Sequence, residues 1–126
     1  MEKTISKRSL GQAAETQARL FLEEQGLTFV ANNVRSESQE EIDLIMQDKE
    51  WLVFIEVRSR KNTEYGHPLD SITPQKQRHI IRAATVYLLK KHIYDKVACR
   101  FDVVSLTQVD EDNQLVWIKD AFRAQY

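Results

Sequence analysis

A chain of 126 residues that is 42% hydrophobic and 29% charged has the size of one domain, 1–126, able to bury roughly two-thirds of its unfolded surface. No apolar run approaches the roughly 20 residues that cross a bilayer, and the charged start at residues 1–8 is not followed by a signal-type hydrophobic region, so the expectation is a soluble, cytoplasmic protein without membrane partners. A single cysteine, Cys99, excludes an internal disulfide and a cysteine-rich zinc site, and reads as a small buried strand residue.

The net charge of −1 conceals a segregation, because residues 58–100 carry ten Lys/Arg against three acids, a net +7, which leaves −8 for the rest. A basic middle following an acidic hairpin suits a polyanion steered toward carboxylate-bound metal, although a solvated helix face plus a charged loop gives the same count.

In chain order, Ser9 with Gln12 three residues later reads as a capping box, and Gly26 as a stop, predicting a helix over 10–25. A turn of 100° per residue groups Ala14, Ala18, Phe21 and Leu22 into a core stripe with Glu15 on its edge. Glu15 is therefore a carboxylate aimed near the core, unless it caps, pairs with Arg19 one turn on or bends to solvent. A strand is expected at 27–30, disturbed by Asn32-Asn33, with a polar loop over 36–40.

Residues 41–46 and 51–57 are both strand-like and flank the polar turn 48–50. A hairpin turning at Lys49-Glu50 sets Asp43 directly opposite Glu56, with Cβ atoms roughly 4.5–5.5 Å apart, and like charges so placed destabilise a sheet. A divalent cation is the simplest compensation, since Mg²⁺ takes one or two carboxylates plus water and phosphate. The third strand carries Leu52, Phe54, Glu56 and Arg58 on one face and Val53, Ile55 and Val57 on the other, so it reads as central, with function at its C-terminal end.

Residues 60–70, containing Tyr65-Gly66-His67-Pro68, form a polar loop long enough to bind a ligand. Thr73 as N-cap and Pro74 at the first position open a helix over 75–91, with Ile80, Ile81, Ala84, Tyr87 and Leu88 facing inward. Lys76, Arg78, His79 and Arg82 lie in its first two turns, where they either help a helix start hold phosphate or only keep the helix soluble. A strand at 97–106 puts Arg100 and Asp102 on one face and Phe101 and Val103 on the other; a turn at 110–113 leads to a last strand at 115–119. The order αβββαββ is that of an α/β domain with a mixed five-stranded sheet flanked by helices.

Asp43, a gap of twelve residues and then Glu56-Val57-Arg58 approximate the D-x(n)-(D/E)-x-K arrangement of metal-dependent phosphodiesterases. Its chemistry asks for two carboxylates and the intervening carbonyl, here Val57, to hold Mg²⁺ or Mn²⁺, and for a cation beside them, here Arg58, to stabilise charge on the phosphate. His67, His79 and His92 lack zinc-ligand spacing, and there is no P-loop, GxGxxG or GxSxG. Tyr65 is the tyrosine placed to stack on a base.

The segments Gly11-x-x-x-Glu15-x-x-Ala18, Glu41-Ile42-Asp43-Leu44-Ile45, Phe54-Ile55-Glu56-Val57-Arg58-Ser59-Arg60, Tyr65-Gly66, Lys76, Arg100-Phe101-Asp102-Val103-Val104 and Trp117-Ile118-Lys119-Asp120-Ala121-Phe122 resemble the YraN-like bacterial proteins over nearly the whole chain. That family is similar in fold and site layout to restriction-endonuclease-like nucleases and Holliday-junction resolvases. The resemblance implies hydrolysis of DNA, branched DNA included, by a Mg²⁺- or Mn²⁺-dependent site in which Glu15, Asp43 and Glu56 are the acids, with Glu41 a further candidate and Val57 giving its carbonyl. It implies nucleic-acid contacts from the loop of Arg60, Lys61 and Tyr65 and from the helix start at Lys76, continued by Arg78 and Arg82. A homodimer is compatible with it, since junction-cutting relatives act on two strands. Two residues depart from the pattern. Arg58 stands where the nuclease motif has Lys and stays protonated, so Lys61 or Lys76 would have to approach from elsewhere if a lysine is needed. Glu40 replaces the usual Gly before the acidic pair. An inactive nucleic-acid-binding module on the same scaffold and a protein-interaction adaptor remain as alternatives.

Overall fold

In the computed structural model, which describes residues 7–36, 40–61, 66–109 and 112–124, the elements are α1 (Lys7–Glu24), β1 (Thr28–Arg35), β2 (Glu41–Asp48), β3 (Trp51–Lys61), a 3₁₀ turn (Pro68–Ser71), α2 (Pro74–Lys90), β4 (Ala98–Val109) and β5 (Asp112–Phe122). The strands form one sheet in the order β1-β2-β3-β4-β5, antiparallel except for β3–β4, which α2 joins as a parallel crossover. The expected mixed five-stranded α/β domain is thus formed. No helix of the described residues is long and apolar enough to cross a membrane.

The two-sided apolar pattern of β3 explains the layering. Val53 and Ile55 pack with Leu44, Met46 and Val104 under Ala18 and Leu22 of α1, while Leu52 and Phe54 pack with Phe101 and Val103 under Ile80, Ala84 and Leu88 of α2. A central strand buried on both faces reads as a continuous apolar run, and here it ends at Glu56. Gly26 (φ 99°) closes α1 in a left-handed cap, with Gly26 N–H donating to Glu23 and Leu27 N–H to Leu22.

Several boundaries differ from expectation. Helix α1 begins at Lys7, so Ser9 lies inside it and is not its cap; Lys and Arg at the preceding positions are good helix formers. Strand β1 continues through Asn32 and Asn33 to Arg35, with a register shift between Phe29 and Ala31. Strand β3 pairs with β4 as far as Lys61, because the long parallel ladder continues past the last apolar side chain. Of the polar loop, residues 62–65, Tyr65 among them, lie outside the described residues. Asp112 and Asn113, expected in a turn, open β5 opposite Val109 and Gln108. Cys99 is only half-buried.

The β4–β5 pairing slips between Phe101 and Val103, and Asp102 fills the gap. Fully buried, its carboxylate accepts from Trp117 Nε1 at 2.9 Å, the Asp120 backbone N–H at 3.0 Å and Arg100 Nε at 3.0 Å, while Arg100 also reaches Asp48 at 2.7 Å. Removing the acceptor strands three donors, one of them a nearly buried cation. Asp102→Ala is expected to cost about 3–5 kcal/mol, measured as a fall in the denaturant midpoint with the slope unchanged.

Candidate metal centre

The β2–β3 ladder runs from Asp48↔Trp51 to Leu44↔Ile55, the register that puts Asp43 next in line with Glu56. At that point regular pairing stops. Instead, the Asp43 carboxylate accepts the Val57 backbone N–H at 2.8 Å. Residues two apart on a strand normally share a face, yet Ile42 packs on the α2 side and Leu44 on the α1 side. The alternation breaks at Asp43, which leaves its side chain between the layers, pointing at neither helix alone.

Acids converge on this gap from three elements. Carboxylate oxygens of Glu15 on α1 and of Glu41 and Asp43 on β2 lie within 4.8 Å of one another, and Glu56, 4% exposed, adjoins Asp43 from β3. Asn33, opposite Asp43 on β1 and in a left-handed conformation (φ 50°), hydrogen-bonds Glu15; Asn tolerates that conformation better than most residues. The expected Glu15–Arg19 pair does not form, because Arg19 bonds Glu23 and lies over the Phe29 ring.

Burial and crowding raise the proton affinity of these groups. Glu56 is pushed up from 4.5 to about 8, first by burial and then by the Asp43 charge, against the pull of Lys76 and Arg58. Glu15 is pushed up from 4.5 to about 7 by burial and then Asp43. Asp43 is also raised by burial, but the Val57 N–H and a proton donated by Glu56 hold it back. All three carboxyls therefore hold a proton more tightly than a free carboxylate, Asp43 being the one whose burial is opposed by a backbone N–H.

Two cations meet at Glu56. Arg58 Nη1 and Lys76 Nζ each stand 3.8 Å from Glu56 Oε1. Lys76 is delivered by the first turn of α2, which the Thr73 hydroxyl caps by accepting the Lys76 backbone N–H at 3.1 Å with Pro74 at the first helical position. The other expected nucleic-acid residues do not join the centre: Arg60 bonds the Gly66 carbonyl at 3.1 Å, Arg82 pairs with Glu40 at 3.0 Å, and Lys61 and Arg78 are exposed. The Arg82 pair offsets the charge that Glu40 adds. A polar cleft of about 680 Å³, lined by Gly11, Gln12, Glu15, Asn33, Arg35 and Glu41, opens onto the acids. The apolar hollow of about 620 Å³ between α2, β4 and β5 contains none of them.

Sequence reading brought Glu15, Asp43, Glu56, Arg58 and Lys76 to this place but missed Asn33 and Ser71. An asparagine interrupting a strand was the available signal for Asn33; nothing local marks Ser71. The carboxylates of Glu15, Glu41 and Asp43 are hard oxygen donors, the type that hard divalent cations take.

Over residues 14–106 the chain matches the uncharacterised protein family UPF0102. A UPF0102 protein from Coxiella burnetii is 46% identical over 117 residues, 93% of this chain and 94% of the relative. One from Klebsiella pneumoniae is 47% identical over 119 residues, 94% and 88% of the two chains, and one from Legionella pneumophila is 45% identical over 114 residues, 90% and 94%.

The raised carboxyls make metal-free stability fall with pH. Glu56 holds its proton to about 8 in the folded chain but only to 4.5 when unfolded, so the folded state binds more protons between those values. Its contribution is complete below 4.5 and is lost as pH rises through about 8. Thermal melts in chelator from pH 4.5 to 8.5 should show a declining Tm, and Glu56→Gln should flatten the decline and raise the Tm at pH 8 by on the order of 5 °C.

Proposed function

The chain belongs to UPF0102, the YraN-like family of restriction-endonuclease-like proteins, and we propose that it is a metal-dependent nuclease that hydrolyses phosphodiesters in DNA, branched DNA being the expected substrate. The observation that carries this reading is the Asp43–Glu56 pair, a half-buried and a buried carboxyl side by side, both with proton affinity raised by burial and Glu56 raised further by the Asp43 charge. Structural ion pairs do not need such an arrangement, whereas a hard dication converts it from a cost into a binding site.

Asp43, Glu56 and the Val57 carbonyl would hold Mg²⁺ or Mn²⁺, with Glu15 and Glu41 joining directly or through water, and the bound ion would supply Lewis acidity toward water and phosphate. The protein's own contributions are positional. Val57 N–H fixes the Asp43 rotamer at 2.8 Å. Asn33 orients Glu15. The cations beside Glu56 place positive charge where a phosphate would sit. Exposed Lys61 and Arg78 extend that charge along β3 and α2, toward the backbone of a nucleic acid.

One observation favours a second reading, a DNA-binding module without cleavage: the motif lysine is replaced by Arg58, whose guanidinium is engaged by Ser71. Incubating branched, single-stranded and duplex DNA with Mn²⁺ or Mg²⁺ separates the two. The nuclease reading expects metal-dependent products that fall at least about 10²-fold in Asp43→Asn and Glu56→Gln, with salt-sensitive DNA binding retained. Cleavage that survives both substitutions overturns it, and binding without cleavage selects the module.

A further inference from the structure

Arg58 and Lys76 both approach Glu56 Oε1 at 3.8 Å, yet their other partners give them different work. Arg58 Nη2 donates to the Ser71 carbonyl at 2.7 Å and Nε faces the Ser71 hydroxyl at 3.4 Å, so one edge of the planar fork is spent on the backbone just before α2. Ser71 is itself held, its hydroxyl donating to the Pro68 carbonyl at 2.9 Å. Ile72 follows, 2% exposed in the α2-side core. Thr73 then caps α2 at Lys76. The connections form a closed circuit: β3 carries Arg58, Arg58 holds Ser71, Ser71 and Ile72 seat Thr73, Thr73 fixes the first turn, and that turn returns Lys76 to Glu56 on β3.

Within the circuit the ammonium of Lys76 has Glu56 beside it and carries three donors on a flexible stem, the side chain being 38% exposed. A guanidinium clamped by a carbonyl cannot follow a phosphate without releasing the helix entrance; an ammonium at the end of a capped first turn can.

We propose that Lys76, supplied by α2, is the catalytic cation that contacts the scissile phosphate, taking the place the motif gives to a lysine on the strand, and that Arg58 is a positioning residue that locks β3 to the entrance of α2. The proposal rests on the nuclease reading.

The experiment compares wild type, Lys76→Met, Lys76→Arg, Arg58→Ala and the Lys76→Met/Arg58→Ala double variant. Cleavage of branched DNA with Mn²⁺ is measured alongside hydrogen exchange of the backbone amides. Lys76→Met should lower kcat by about 10²–10³-fold with KM for DNA nearly unchanged and exchange in α2 unaltered, and Lys76→Arg should restore part of kcat. Arg58→Ala should lower kcat less, speed exchange at residues 72–77, and add nothing in the Lys76→Met background, since a residue acting through another is not additive with it. Full kcat in Lys76→Met, or an Arg58→Ala loss that multiplies with that of Lys76→Met, overturns the assignment. If wild type cleaves no DNA, the nuclease reading and the catalytic role of Lys76 both fall; if wild type cleaves but Arg58→Ala leaves exchange at 72–77 unchanged, only the positioning role falls.

Discussion

The site depends on an interruption of the β2–β3 ladder at Asp43. Up to Leu44↔Ile55 the two strands satisfy each other's backbone groups; two residues further along β3, the Val57 N–H finds a carboxylate in place of a carbonyl. A buried N–H left without an acceptor costs about 1–3 kcal/mol, so the side chain must stand in for the missing backbone bond. Holding it there puts a carboxylate oxygen where Glu15 adjoins it from α1 and Glu56 from β3. The acidic cluster follows from that one substitution of side chain for backbone.

The rest of the fold keeps Glu56 dry and the arrangement fixed. Strand β3 is packed on both faces up to Ile55, and the exclusion of water that stabilises the core also raises the proton affinity of Glu56 immediately after it. The parallel crossover then determines which helix end meets Glu56. In a right-handed β3–α2–β4 unit the crossover helix starts beyond the C-terminal end of its leading strand, so the Thr73-capped first turn, with Lys76 on it, stands where the apolar run of β3 gives way to charge. Burial supplies the cost and topology supplies the compensating cation.

The fold was largely legible because the dominant signals were local. The alternation in 41–57 gives the hairpin, the Lys49-Glu50 turn gives its register, and Thr73-Pro74 gives the helix start. The facing of Asp43 and Glu56 follows from register alone. What was not legible depends on side chains that reach across elements. Asn33 reads as a flaw in a strand until β1 is placed beside β2 and α1. Ser71 reads as a loop residue until Arg58 is seen holding its carbonyl. Strand lengths were underestimated for a related reason: the ends of β3, β4 and β5 are polar, and pairing with a long neighbour carries them on where hydrophobic alternation has ceased.

Asp102 and Asp43 show why the same residue type, in similar apolar strand contexts, can be structural in one place and chemical in the other. Asp102 sits where a ladder shifts register and Asp43 just past the end of one, and both accept a backbone N–H, from Asp120 and from Val57 respectively. Around Asp102 the remaining oxygen capacity is filled by the Trp117 indole and the Arg100 guanidinium, so its charge is fully compensated within the protein. Around Asp43 stand the carboxyls of Glu15, Glu41 and Glu56, and the two cations of the site pair with Glu56, Lys76 acting on Asp43 through its charge alone. A carboxylate surrounded by donors can only hold a structure together. One set among acids carries like-charge repulsion that its neighbours add to, and a hard cation is the kind of group that relieves it.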